Sequence, residues 1–196
     1  MKKRIVCVLL TLIMLLSLVP MGASAASHEI SAAAITVLKQ MTTFKSTCDY
    51  YSGSEFRTGY GTVCEGKHVF DTNGKPKALP AEYTDANGKP AYKAAHEITE
   101  QQADIALRKA LLAFDEKVCS FESANGLSLS QNQHDALVVF SYNAGTGWMS
   151  GNGVLKSVII NKGTSTEMLN AMNMWTKNAS LSRRKVEVNM YMNGSR

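Results

Sequence analysis

The sequence has few residues that bind metals, and it lacks their usual spacing. It contains 4 histidines and 4 cysteines, with no Cys-x-x-Cys pair and no histidine-rich run that would predict a zinc site. Two similar segments begin at Asp71 and Asp85, but neither has the alternating oxygen ligands of a calcium loop. The sequence therefore predicts no metal and no other cofactor.

The N-terminus has the pattern of a removable leader. The basic start Lys2-Lys3-Arg4 precedes an apolar run over residues 5–19, and Ala23-Ser24-Ala25 then supplies a small-x-small cleavage signal. Cys7 lies near the start of the apolar run, far from the cleavage signal, so it is not a lipoprotein cysteine. We predict a signal peptide over residues 1–25 and a mature chain that is secreted, extracellular or cell-wall associated, without stable membrane insertion.

The mature chain lacks a strong charge of either sign. Of 21 Lys and Arg residues three fall in the leader, leaving 18 against 16 Asp and Glu, a net charge of +2. Such a surface is compatible with an anionic cell wall but does not predict nucleic-acid binding. Residues 26–196 are enough for one domain with a hydrophobic core, which we expect to be a monomer.

Three cysteines remain in the mature chain: Cys48, Cys64 and Cys119. Secretion permits a disulfide, and an odd number leaves at least one of them outside an intramolecular pair. The loop between Cys48 and Cys64 is the shortest, but the sequence leaves the connectivity open.

The order of the predicted elements indicates an α+β fold. Apolar residues at helical spacing predict an opening helix over residues 30–44. The aromatic, glycine-rich stretch over residues 48–64 predicts a small hairpin or sheet, and repeated Asn-Gly turns predict an exposed insertion at about residues 66–96. Helices dominate after Thr99, so we expect a sheet lobe, a helical lobe and a ligand cleft between them.

Capping boxes predict where three of these helices begin. Ser or Thr precedes Gln or Glu by three residues in the pairs Thr99/Gln102, Ser130/Gln133 and Thr164/Glu167. The helix after Ser130 is predicted to be buried and to end at the glycines Gly145 and Gly147. A last short helix, over about residues 182–192, carries Arg183 and Arg184 at its start.

Several segments, in this order, resemble the phage-type lysozymes of glycoside hydrolase family 24. The most specific is the run over residues 129–145, in which Gln-x-Gln-x-Asp-Ala-Leu-Val precedes Phe-x-x-Asn-x-Gly. Others are Thr58-Gly-Tyr-Gly-Thr62, the helix start over residues 98–107, Trp175, and Arg183-Arg184 with Glu187. The resemblance implies a lysozyme-like fold and cleavage of the β-1,4 bond between N-acetylmuramic acid and N-acetylglucosamine in peptidoglycan.

The resemblance also implies a catalytic pattern that this chain departs from. In the family a Glu at the end of the opening helix protonates the leaving oxygen, and an Asp or Cys and a Thr further on hold water. Here Thr42 occupies the Glu position. Ungapped spacing puts Tyr51 and Arg57 at the other two positions, whereas a small gap brings Asp49 or Cys48, and Thr58, into their place.

Two interpretations of the missing acid remain open. In the first, Glu55 of the predicted hairpin reaches the cleft as the acid, with Asp49 nearby, and an aromatic surrounding raises its pKa. In the second, Glu55 is a solvated turn residue and the fold serves as a peptidoglycan-binding or structural protein. The substrate-binding candidates are Thr58, Tyr60, Gln131 and Asn143.

Overall fold

The computed structural model describes residues 29–52, 55–64, 82–84, 90–92, 97–175 and 180–193, with backbone alone for 48–52, 55–56, 82–84 and 90–92. The predicted leader therefore lies outside the described residues. The strands are β1 (Lys45–Ser52), β2 (Glu55–Gly59), β3 (Thr62–Val63), β4 (Glu82–Thr84) and β5 (Pro90–Tyr92). The helices are α1 (Ala32–Gln40), α2 (Glu100–Ala124), α3 (Gln131–Ala144), α4 (Val154–Ile160), α5 (Ser165–Asn173) and α6 (Leu181–Asn193).

The three predicted capping boxes are confirmed. In each, the side chain of the Ser or Thr accepts a hydrogen bond from the third backbone N–H of the helix, and the Gln or Glu accepts one from the backbone N–H of the cap. These bonds satisfy donors that the first helical turn leaves without partners. The α3 helix ends at Gly145, whose φ of +79° is a conformation that favours glycine.

The sheet lobe is an antiparallel meander in the order β1-β2-β3, as the turn-rich sequence predicts. Gly59 ends β2 with φ of +59°, and a Cβ there would stand 2.8 Å from the Cβ of Ala103. Only glycine therefore lets the end of β2 approach α2 this closely. In the region of the predicted insertion β4 pairs with β5, while the Asn-Gly turns lie outside the described residues.

The helical lobe is built around α3, which packs on α1, α2 and α6. A run of eight buried residues from His134 to Ser141 makes it the most enclosed helix described. Leu137 and Phe140 are fully buried beside Trp148, whose Nε1 donates to Ser141 Oγ at 3.0 Å. Trp148 is thus a core residue, and Met168 and Met172 of α5 are likewise core filler.

The opening helix is shorter than the sequence predicts. It ends at Gln40, and Phe44 lies beyond it, with its ring centroid 5.7 Å from that of Tyr60. The β-branched pair Thr42-Thr43 favours extended backbone, and the packing of Phe44 against the sheet lobe stabilises this non-helical conformation. This early end places Thr42 at the junction of the two lobes.

Candidate functional site

A groove lies between the sheet lobe and the helical lobe. The end of α1, the β1 and β2 strands, the turn after β2, and the ends of α3 and α6 all contribute to its wall. Its lining residues are Thr42, Thr43, Lys45, Arg57, Thr58, Gly59, Tyr60, Gly61, Tyr142, Asn143 and Arg183. The cleft that the two-lobe sequence pattern predicts is therefore present in the fold.

Thr42 lies inside this groove and contacts a cation. Its Oγ1 accepts a hydrogen bond from Arg183 Nη1 at 3.4 Å, and Arg183 Nε donates to Glu187 Oε1 at 3.0 Å. A hydroxyl accepts from a guanidinium, but it does not supply a proton near neutral pH as a carboxylic acid does. Thr42 is thus a polar wall of the groove rather than a proton donor.

The described side chains that line the groove include no carboxylate. They include instead three cationic residues, Lys45, Arg57 and Arg183. Burial raises the pKa of Tyr142 to about 12, although the charges of Arg57 and Arg183 act in the opposite direction. Tyr142 therefore stays a neutral donor, and its hydroxyl donates to the Tyr60 carbonyl at 2.9 Å.

Behind the groove a buried ion pair holds Asn143 in place. Arg184 and Glu187 are both fully buried and bonded to each other, and Arg184 Nη2 donates to Asn143 Oδ1 at 2.5 Å. The Arg184 guanidinium also lies 4.7 Å from the Phe140 ring centroid. Burial raises the pKa of Glu187 although both arginines lower it. The pair orients the amide of Asn143 toward the groove wall.

The structure brings three of the four predicted substrate-binding residues to the groove. Thr58 and Asn143 line it, and so does Tyr60, a buried residue whose hydroxyl donates to Glu100. Gln131 lies at the opposite end of α3, where its Nε2 donates to the Glu29 carbonyl at 2.8 Å and to Asp135 at 3.0 Å. The bond from Gln131 to Glu29 joins the start of α3 to the segment before α1.

The side chains of the predicted catalytic residues, Glu55 and Asp49, lie outside the described part of the structure. Their backbone positions are described: Asp49 is the Cα partner of Arg57 across the β1-β2 ladder, and Glu55 precedes Arg57 by two positions in β2. Residues directly opposite each other on neighbouring strands lie on the same face of a sheet, and so do residues two positions apart in one strand. Both positions therefore share the sheet face of Arg57, which lines the groove.

Sequence reasoning missed several residues of this groove. Tyr142 carries no signal beyond its place next to Asn143, and Lys45 resembles any exposed strand residue. The sequence marks Arg183 only as one half of a basic pair, whereas its hydrogen bond to Thr42 spans 141 positions of sequence. Contacts of such separation depend on the packing of α6 against the core.

Comparison with known proteins agrees with this architecture. The profile of the family described as phage lysozyme matches residues 50–187. The chain belongs to the phage lysozyme family. This membership makes it a lysozyme-type glycoside hydrolase, and the family acts on peptidoglycan. The matched range begins downstream of Thr42, so the replacement of the family acid at that position stays a prediction.

Solved structures of phage and bacterial lysozyme-like proteins share the fold. An endolysin from Escherichia coli O157:H7 phage FAHEc1 is 20% identical, with a TM-score of 0.57 over 84% of this chain and 94% of the other. The muramidase domain of SpmX from Asticaccaulis excentricus is 22% identical, with a TM-score of 0.56 over 85% and 99%. A search of curated proteins finds no match.

No helix among the described residues is both long and apolar enough to cross a membrane. Of the cysteines, Cys64 is disulfide-bonded and Cys119 carries a thiol, which fits the odd number of cysteines that follow the predicted leader. The side chain of Cys48 lies outside the described part of the structure.

Proposed function

We propose that this protein is a secreted, monomeric muramidase. It binds a peptidoglycan strand in the groove between the lobes and cleaves the β-1,4 bond between N-acetylmuramic acid and N-acetylglucosamine. The observation that supports this proposal is the groove itself, which Thr58, Tyr60 and Asn143 line in a chain of the phage lysozyme family. Hydroxyl and amide groups on a partly apolar wall suit a polar sugar chain.

Hydrolysis by this protein requires a carboxylic acid from the sheet lobe. Glycosidases protonate the leaving oxygen with one acid and use a second polar group to hold water or stabilise charge on the sugar. Because Thr42 supplies no acid, we assign the donor to Glu55 and the supporting role to Asp49. The register that sets both positions on the face of Arg57 supports this assignment.

Release of reducing ends from purified peptidoglycan tests the assignment. The mature chain should release them and clear a turbid wall suspension at some pH between about 4 and 8, the range in which a carboxyl of raised pKa can act. Glu55→Gln should abolish both signals. Glu116→Gln, which changes an exposed carboxylate of α2 that does not line the groove, should leave them unchanged.

A second function has an observation of its own: the described groove side chains include three cations and no carboxylate. On this alternative the protein binds peptidoglycan without cleaving it. It then sediments with insoluble wall and releases no reducing ends at any pH. A protein that stays wholly in the supernatant and shows no activity contradicts both functions.

A further inference from the structure

A second cluster of reactive side chains lies away from the groove, where α2 packs on α3. Asp115 and Cys119 come from α2, and His134 comes from the first turn of α3. One donor atom of each, a carboxylate oxygen, a sulfur and an imidazole nitrogen, lies within 4.8 Å of the other two. The proposed hydrolysis uses none of these groups.

A neighbouring carboxylate fixes the orientation of the histidine. His134 is fully buried; its Nδ1 lies 2.6 Å from Glu122 Oε1, and its Nε2 lies 2.9 Å from Asp115 Oδ1. A histidine that binds a metal through one nitrogen almost always donates its other N–H to a carboxylate or carbonyl. Glu122 meets that requirement, because a proton on Nδ1 leaves Nε2 on the side of Asp115 and Cys119.

We propose that Asp115, Cys119 and His134 form a binding site for a divalent transition metal of the zinc class. Water is the fourth ligand, and Glu122 orients the imidazole from behind. The donor set selects the metal: a thiolate and an imidazole are preferred by Zn²⁺ and its neighbours over Mg²⁺ or Ca²⁺, which prefer oxygen alone.

The positions of the ligands suit a tetrahedral site that is open on one side. Asp115 and Cys119 are four residues apart on α2, so their side chains lie on the same helix face. Zinc bonds of about 2.0–2.3 Å place tetrahedral ligands roughly 3.5 Å from one another, which side-chain rotation reaches from the observed spacing. Asp115 is buried whereas Cys119 is partly exposed, so a metal and its water enter from the Cys119 side.

Titration of the purified, metal-stripped chain with zinc against a chromophoric chelator tests this site. We expect one Zn²⁺ per chain. Cobalt substitution should give a thiolate-to-metal charge-transfer absorption, which requires Cys119 as a ligand. Neither readout involves the groove or its activity, so failure of the proposed hydrolysis does not affect this test.

Variants separate a metal site from a structural ion pair. Cys119→Ser alters a partly exposed residue and should remain folded, yet it should lose the charge-transfer band and bind zinc at least 10-fold more weakly. Glu116→Gln changes the adjacent exposed carboxylate of α2 and should bind as the unaltered chain does. Absence of stoichiometric zinc binding, or binding that Cys119→Ser leaves unchanged, overturns the proposal.

Discussion

At the scale of single residues, the hydrogen bond between Arg183 and Thr42 joins the start of α6 to the segment after α1. The guanidinium is held by Glu187 at 3.0 Å and directed at the position where the resemblance expects an acid. A carboxylate at position 42 would face that guanidinium and gain a charge-assisted hydrogen bond. The groove therefore offers a cationic partner to a carboxylate at position 42.

Thr42→Glu, introduced together with Glu55→Gln, should consequently restore hydrolysis. A positioned general acid typically contributes at least 10²-fold to the rate, so release of reducing ends from purified peptidoglycan should increase by about that factor over Glu55→Gln alone. Thr36→Glu, on the exposed side of α1 and in the same background, provides the matched control and should leave the rate unchanged. Equal rates for the two variants would show that position 42 does not face the scissile bond.

The phenol of Tyr142 should titrate late. Its pKa in the folded protein is raised to about 12 from the ordinary value of 10.0, because burial disfavours the phenolate. The protonated form is thus favoured by folding, and this stabilisation is complete below pH 10 and lost as pH rises through about 12. Phenolate absorbance measured against pH should contain a late component that Tyr142→Phe reduces.

At the scale of elements, one carboxylate joins α1 to α3. Asp135 is buried and accepts hydrogen bonds from the backbone N–H of Ser31 at 2.9 Å and from its hydroxyl at 2.6 Å. Ser31 is also the N-cap of α1. The same aspartate that belongs to the family-like run on α3 therefore fixes where the opening helix begins.

Asp135→Ala should destabilise the protein by about 3 kcal/mol, because it leaves buried donors without an acceptor and removes bonds to a charged group. Asn132→Ala, an exposed change on the same helix, should stay within about 0.5 kcal/mol. Urea unfolding followed by circular dichroism measures both. A loss below 1 kcal/mol for Asp135→Ala would mean that water replaces the carboxylate.

At the scale of the whole molecule, the C-terminal helix connects the core to the groove. Glu187 of α6 binds Arg184, which holds Asn143 of α3, and it also binds Arg183, which reaches Thr42 after α1. Three chain segments thus meet at one buried carboxylate. Fold stability and groove geometry depend on the same ion pair.

Glu187→Ala should cost about 3–5 kcal/mol, because Arg184 keeps its charge in the core without its carboxylate partner. The melting temperature should fall accordingly, and binding to insoluble peptidoglycan should weaken with it as Arg183 and Asn143 lose their support. Lys185→Ala, an exposed change on α6, is the control and should alter neither measurement. Unchanged stability of Glu187→Ala would indicate that Arg184 reaches solvent.

Local chemistry explains which parts of this protein the sequence determined. The capping boxes, the glycine that ends α3, the small sheet and the order of the elements follow from hydrogen bonds and spacing within a few residues, and they identified the family. The early end of α1 does not follow from such local chemistry, because it depends on the packing of Phe44 against Tyr60 of the sheet lobe.

Only the tertiary structure decided which distant side chains meet. Asn143 lines the groove while Gln131 does not, although both belong to one motif, because they lie at opposite ends of the same helix. Two contacts join different elements of the chain: Thr42 with Arg183, and His134 with Asp115. No spacing rule in a linear sequence predicts contacts of this kind. Packing of the helices around α3 creates these contacts, since it alone sets the distance between residues far apart in the chain.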